Sequence, residues 1–273
     1  MSETAEQRNT DTQNGSKSSR SLFLEPLDCK VEGDSCGWPV SRTLSNREAA
    51  ELLARSNAGI HPDLSRLGYR FVKRTFDIVA SGVAIALLLL PSLALCIAIC
   101  IKSPGASPLY GQTRVGRLNP DGSYCLFRMW KFRSMVPNAD ELLDGLKDQN
   151  EADGPLFKIK DDPRVIPGVG RFIRRHSLDE LPQLVNVLLG DMSLIGPRPA
   201  LPGEAVQYDT RAKRRLTVKA GCGGPWQAGS RSDGTFDEMI DLDLEYVESC
   251  SVGYDLKLIA RTAKAMVYGD GAY

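Results

Sequence analysis

The stretch IVASGVAIALLLLPSLALCIAICI, Ile78 to Ile101, runs for 24 residues without a charge. A helix buried in a soluble core keeps a polar face, and this one has none. As one straight helix it reaches about 36 Å, enough for a hydrocarbon layer of about 30 Å. It begins too far from Met1 for a secretory leader, and no small-residue cleavage site follows it. Pro91 stands near its middle, without an N–H and with its ring against the carbonyl of Leu87, so a break into two arms is expected. Each arm alone spans only about 15–20 Å. Arg66, Arg70, Lys73 and Arg74 precede the run, and Lys102, Arg114 and Arg117 follow it. Basic residues favour the cytoplasmic side, so both flanks ask for one face, which a re-entrant hairpin satisfies. A spanning helix with a mild kink is the alternative.

Outward from this segment the chain is ordinary in bulk. It has 273 residues, 42% hydrophobic and 25% charged, with Lys plus Arg equal to Asp plus Glu at 34 each. That balance gives no general attraction to nucleic acid. Seven Cys, none in a C-x-x-C pair, and two His exclude zinc-finger spacing and a complete disulfide framework. Cys96 and Cys100, one helical turn apart, read as small packing residues.

The expected organisation is α-rich α+β: a monotopic membrane protein with a proline-broken, re-entrant hydrophobic helix and a cytosolic catalytic domain. Residues 1–68 form a polar, largely disordered region, 69–103 the basic-flanked membrane-inserted helix–break–helix, and 104–273 the catalytic domain. Within the first region Ser45 and Glu48 have capping-box spacing for a short helix that Gly59 can stop. Further helices are expected at 138–149, 181–189, 236–249 and 255–268, and a strand at Tyr124–Arg133. Charge comes in blocks. Residues 102–135 hold six basic side chains against one acidic, Arg211 to Lys219 form an acid-free run, and 232–256 hold acid without base. The Arg211–Lys219 run is expected to meet anionic headgroups or to be a solvated face.

Three stretches concentrate chemistry. In YCLFRMWKFRSM (124–135) strand period puts Lys131 and Arg133 on one face, about 7 Å apart, a spacing for two phosphates. An interfacial aromatic-basic ribbon is the alternative. In the second stretch, 170–199, Asp179 and Glu180 follow Arg171, Arg174, Arg175 and His176. Ser177 with Glu180 fits a capping box, but Pro182 prefers the first position of a helix, which leaves the carboxylates just before its positive end. An ionised Asp among arginines serves as a nucleophile toward phosphorus, and a carboxylate holds Mg²⁺ through oxygen. In GPRP (196–199) the prolines stiffen the backbone around Arg198, as an anion clamp requires. The third stretch, KAGCGGPWQAGSRS (219–232), has neither P-loop nor G-x-G-x-x-G spacing and reads as a loop with backbone near a ligand.

KRTFD (73–77), the proline-interrupted apolar run, KFRSM (131–135), DPRV (162–165), SLDELPQL (177–184), GDMSLIGPRP (190–199), Trp226-Gln227 and the terminal GAY (271–273) occur in one order. Over about residues 69–273 the chain resembles the bacterial sugar transferases, the monotopic phosphoglycosyl transferases that initiate exopolysaccharide synthesis. That resemblance implies transfer of hexose 1-phosphate, galactose or glucose, from a UDP-sugar to undecaprenyl phosphate at the bacterial inner membrane, with the catalytic domain facing the cytoplasm. UMP leaves, and a covalent aspartyl intermediate forms on Asp179. It implies Mg²⁺ at Asp179 and Glu180, phosphate or nucleotide binding by Lys131, Arg133, Arg174 and Arg198, and membrane lipids and downstream glycosyltransferases as partners, with no nucleic acid. The terminal GAY is similar to galactose- and glucose-transferring starters, with UDP-galactose favoured. The chain departs from the family pattern at Leu90 before Pro91 and at Lys219–Arg231. A non-catalytic membrane scaffold with the same fold, and a lipid-phosphate phosphatase using the same Asp, are the competing readings.

Overall fold

A computed structural model describes residues 29–31, 42–44, 46–55, 60–62, 64–151, 159, 161–229 and 235–268. Ser45, Gly59, Ser230, Arg231 and the terminal GAY lie outside the described residues. In chain order come a short ribbon, β1 (Cys29–Val31) with β2 (Arg42–Leu44), and helix α1 (Asn46–Arg55). Then follow the long α2 (Leu67–Lys102) and the antiparallel pair β3 (Leu109–Leu118) and β4 (Tyr124–Phe132). The expected helix at 138–149 is α3 (Ala139–Leu143) continued by a 3₁₀ stretch, Asp144–Gln149. Next are α4 (Val169–Arg175), the 3₁₀ turn Leu178–Glu180, α5 (Gln183–Leu189) and β5 (Ser193–Ile195). The chain goes on through α6 (Pro202–Val206), α7 (Thr210–Lys213), a 3₁₀ turn Arg214–Thr217, β6 (Gly221–Gly223) and α8 (Pro225–Ala228). It closes with α9 (Phe236–Ser249) and α10 (Val252–Tyr268).

The expected division of the apolar segment into two helices is not seen. α2 is one helix of 36 residues with Pro91 inside it. A proline there forfeits one backbone bond, and intact turns on both sides hold the element together. One stripe of α2, at helical spacing, is covered: Asp77, Ser81 and Ile99 are buried, and Ala84, Leu88, Ser92 and Leu95 are half-buried between them. The rest of its circumference is bare hydrocarbon, with Leu87, Leu90 and Phe71 each about three-quarters exposed (74%, 75% and 75%). So much continuous apolar surface is foreign to a water-facing helix. α2 is long and apolar enough to cross a membrane.

Polar contacts dock both ends of α2 onto the same domain. Near its start, Lys73 pairs with Asp255 of α10 at 2.9 Å and donates to the Tyr246 hydroxyl at 3.2 Å. Arg74 donates to the Val187 and Leu188 carbonyls at 2.6 and 2.8 Å, placing a positive charge at the carbonyl end of α5. Asp77 accepts from the backbone N–H of Leu194 at 3.0 Å, at the middle of β5. The KRTFD motif is thus a fastening. At the far end Ile99 packs against Phe132, Ile166 and Ile173.

The domain's main core gathers Val115, Leu118 and Tyr124 from the β3–β4 ribbon with Ala205, Leu216, Trp226, Met239 and Ile240. Leu53 of α1 is fully buried in the same cluster. Residues 46–55 are therefore part of the domain, a correction to the expectation of a loose region extending to residue 68. Between β4 and α5 a second cluster joins Phe127, Met129, Val187 and Met192. β5 and β6 pair in parallel, Ser193 beside Gly221 and Ile195 beside Gly223.

The charge blocks find one another. Arg211 pairs with Asp241, and Arg214 with Glu248 at 2.9 Å. The fully buried Arg215 pairs with Asp243 and donates to the Tyr208 hydroxyl at 2.8 Å. Arg211 and Arg214 are thus a solvated face whose charge α9 balances, and Arg215 is the buried anchor of the run.

Candidate active site

Ser177 is the turning point of the chain here. Its φ of +52° is the one positive value among described non-glycine residues, and its side chain caps nothing. The capping box that Ser177 and Glu180 offered as the alternative to a helix entered at Pro182 does not form; the left-handed residue instead ends the run from α4 and throws Leu178–Glu180 into a single 3₁₀ turn. Strain of this kind survives where its surroundings impose it, and it gathers at functional sites. Pro182 then precedes α5 directly, so Asp179 and Glu180 lie just before a helix start, as the proline preference predicts.

Lys131, at the end of β4, reaches both carboxylates. Its Nζ lies 3.1 Å from Glu180 Oε1 and 3.9 Å from Asp179 Oδ2. The Asp179 side chain keeps 16% of its exposure and that of Glu180 35%. Burial pushes the Asp179 carboxyl up to about 6, the Lys131 charge opposes that, the adjacent Glu180 adds to it, and Arg174 opposes it. The result is a carboxylate that ionises near neutrality yet is poorly solvated, which makes it more reactive than a surface Asp. The Arg174 guanidinium, at the end of α4, makes no hydrogen bond among the described residues and acts on Asp179 and Asp162 through its charge.

The register of Lys131 depends on Asn186, which the sequence reading overlooked. Its Oδ1 accepts from the Trp130 N–H at 3.1 Å, and its Nδ2 donates to the Arg128 carbonyl at 2.8 Å and to Asp191 at 3.1 Å. This amide ties α5 to β4 one residue before Lys131. A lone buried Asn in the apolar helix QLVNVLL was the available signal. Asp162 and Arg164, in DPRV, form a bidentate pair at 2.9 and 2.6 Å. Burial would raise the Asp162 carboxyl, but the Arg164 hydrogen bonds outweigh it and hold it low.

Two expected phosphate ligands are placed elsewhere. Arg133 lies past the end of β4, buried, and donates to the carbonyls of Ser103, Ala106 and Ser107 and to Ser103 Oγ, at 2.6–3.1 Å. Its donors are spent on the segment that follows α2, so it does not join Lys131 on a phosphate-binding face. The Arg198 side chain, 30% exposed, donates to Glu204 at 3.2 Å. Glu204 in turn accepts from the Leu201 N–H at the head of α6. The GPRP backbone is rigid for a reason beyond its prolines: Arg114 holds the Pro199 carbonyl, Arg215 that of Arg198, and the Gly221 N–H that of Pro197. No contact joins Arg198 to the dyad.

The glycine-rich stretch packs backbone on backbone. A Cβ on Gly221 would come within 2.1 Å of the Gly196 nitrogen, and one on Gly224 within 2.3 Å of the Gly196 oxygen. The glycines let this strand lie against GPRP rather than against a ligand. Cys222, between them, feels Glu180, but burial pushes its thiol far up, so it stays a neutral neighbour and no nucleophile.

Among the described residues no group of three His, Cys, Asp or Glu could cage a metal. Mg²⁺ asks for less, one or two carboxylates with waters and substrate phosphates completing its octahedron. Two adjacent, partly desolvated carboxylates that repel each other fit that need.

The same frame, a fastened apolar helix followed by a Lys–Asp–Glu cluster, answers to a defined family, which matches residues 68–269. The chain belongs to the bacterial sugar transferases. It is 40% identical over 208 residues to the galactosyl transferase CpsE of Streptococcus agalactiae, covering 76% of this chain and 44% of that one. It is 40% identical over 222 residues to the undecaprenyl-phosphate galactose phosphotransferase of Salmonella typhimurium, covering 78% and 44%. The exopolysaccharide production protein ExoY of Rhizobium meliloti is 37% identical over 205 residues, covering 74% of this chain and 88% of that one. The match thus spans less than half the length of the first two relatives. In this bacterial sugar transferase the matched span takes in α2 from Gly68 onward and the whole Lys131–Asp179–Glu180 cluster.

Proposed function

We propose that this chain transfers hexose 1-phosphate from a UDP-hexose to undecaprenyl phosphate at the inner membrane, with galactose or glucose as the sugar. It is thereby a starter of exopolysaccharide synthesis. The observation that carries this reading is the Asp179 carboxylate, half-buried, flanked by Glu180 and bridged to it by Lys131. α2 lies in the lipid with the domain on the cytoplasmic side, which brings the dyad within reach of a lipid-borne phosphate.

In the first step an Asp179 oxygen attacks the sugar-linked phosphorus of the donor. The new acyl-phosphate bond forms as the bond to the UMP oxygen breaks, and UMP carries away the electron pair. In the second, an oxygen of undecaprenyl phosphate attacks the same phosphorus. The bond to Asp179 breaks, its carboxylate is regenerated, and the lipid leaves as a diphosphate-linked sugar. Lys131 lowers the repulsion between an anionic nucleophile and an anionic donor, and Arg174 adds a second positive charge free of hydrogen bonds. Mg²⁺, held by Glu180 and Asp179, would supply further charge neutralisation at the phosphates.

Relatives named as undecaprenyl-phosphate galactose phosphotransferase and UDP-galactose-lipid carrier transferase support the substrate class. A relative named as the glucose-1-phosphate transferase supports glucose equally, so the sugar rests on assay. The scaffold alternative leaned on the unusual 219–232 stretch, and the close packing of Gly221 and Gly224 on Gly196 gives those residues a structural task instead. The deciding experiment incubates membranes with donor labelled in the sugar-linked phosphate, without acceptor. Label on the peptide bearing Asp179, absent from Asp179→Asn, is expected; protein that stays label-free yet makes lipid product once undecaprenyl phosphate is added would overturn the covalent step.

A further inference from the structure

A cavity of about 370 Å³ opens beside the start of α2, away from the dyad, for neither Lys131, Asp179 nor Glu180 lines it. Its wall carries six cations against the single acid Asp77. Four of the six have work. Arg66 donates to the Cys250 and Glu248 carbonyls at 3.0 and 3.1 Å. Lys73 is paired with Asp255, Arg74 bonds the carbonyls that end α5, and Lys219 donates to the Gly190 carbonyl at 2.7 Å. Arg70 and Arg117 do not. Neither guanidinium has a hydrogen bond or ion pair among the described residues, yet each is half-buried and they stand close enough to repel.

The crowding shows in the ionisation of its members. Burial first, then the Arg70 charge, lowers Arg117; burial first, then Arg74 and Arg117, lowers Lys219. Like charges converging in a concave, partly dry site cost free energy that an anion would return. A second, independent mark is Ser193. It lines the cavity, is fully buried, and its Oγ has no hydrogen-bond partner. A buried hydroxyl without a partner is uncommon, and a phosphate oxygen would complete it.

The rim points the same way. Leu67 and Phe71, 70% and 75% exposed, border the opening in the first turns of α2, about two to three turns before its uncharged run begins at Ile78. We infer that this cavity is a second phosphate site, built to hold the phosphate of a lipid headgroup against Arg70, Arg117 and Ser193 while the acyl chains follow the bare face of α2. The inference rests on α2 lying in lipid, as in the preceding reading, but not on transferase chemistry.

The test uses the full chain in a neutral detergent, with dioctanoyl phosphatidic acid, dioctanoylglycerol or inorganic phosphate added, followed by native mass spectrometry and thermal unfolding. One phosphatidic acid per chain is expected, with half-saturation about thirty-fold weaker in Arg70→Gln/Arg117→Gln. Without ligand this double variant should melt no lower than the parent, since it removes repulsion; should it fail to fold, Arg70→Gln alone serves. Dioctanoylglycerol should not bind. Protection by inorganic phosphate at the same concentration, lost in the variant, would keep the site and assign it to a soluble phosphate compound. Equal binding by variant and parent, or by dioctanoylglycerol, would overturn the proposal. Asp179→Asn should retain the lipid, so loss of transfer and loss of this site are read separately.

Discussion

Asp179 is held at a cost to the fold, and the cost can be measured. Its carboxyl ionises at about 6 instead of 3.8. A raised carboxylate pKa means that the folded state binds more protons than the unfolded one between those values, so stability falls as pH rises through that window. Above it the full penalty stands, about 3 kcal/mol for a shift of this size. At pH 4 the same expression leaves under about 1 kcal/mol. Asp179→Asn keeps the shape and removes the charge. In EDTA at pH 7.5 the variant should therefore melt above the parent, by about 6–12 °C at the 2–4 °C per kcal/mol usual for this size. The gap should close as pH approaches 4, and millimolar Mg²⁺ should narrow it at pH 7.5 by relieving the same repulsion in the parent. Thermal unfolding followed by tryptophan fluorescence in detergent reads this directly. If Asp179→Asn melted at or below the parent at pH 7.5, or if the gap ignored pH, the description of the dyad as a desolvated, strained pair would be wrong.

Three further outcomes follow from packing. Asn186→Ala should lose about 2–4 kcal/mol, because it strands the Trp130 N–H and the Arg128 carbonyl, and chemical denaturation would show a lower midpoint with an unchanged slope. Gly221→Ala should destabilise by about 3 kcal/mol or more, since its Cβ meets the Gly196 backbone, whereas Gly253→Ala, with open space around it, should be near neutral in the same melting assay. Arg133→Gln should cost about 2–4 kcal/mol by releasing the carbonyls that follow α2, and steady-state kinetics should show the KM for donor little changed. A large rise in that KM would return Arg133 to the phosphate-binding set.

Local rules made much of this visible in the chain itself. The 236–249 helix agrees with α9 because Thr235 and Glu238 form a capping box before a periodic apolar face. The aromatic-basic strand is β4, and Pro182 correctly places the dyad just ahead of α5. What stayed hidden depends on reach and on distant partners. A guanidinium sits on a long stem, so strand alternation said nothing of where Arg133 would point once the chain turned after Phe132. Arg198 found Glu204 six residues on, and Arg211, Arg214 and Arg215 found α9, pairings that exist only after the chain has closed. β5 and β6 have three residues each, too few for a period to emerge. The glycines between Gly221 and Gly224 signalled close approach, but not to what.

α2 is clamped to one domain near both its ends, by Lys73, Arg74 and Asp77 at the start and by Ile99 and the Arg133-held segment at the finish. A rod tethered at a single point lets its cargo swivel; one tethered at two does not. The depth of Asp179 relative to the rod's axis is therefore a constant of the fold, and under the proposed transfer a partner travelling in the bilayer must bring its reactive group to that level by gliding in the plane.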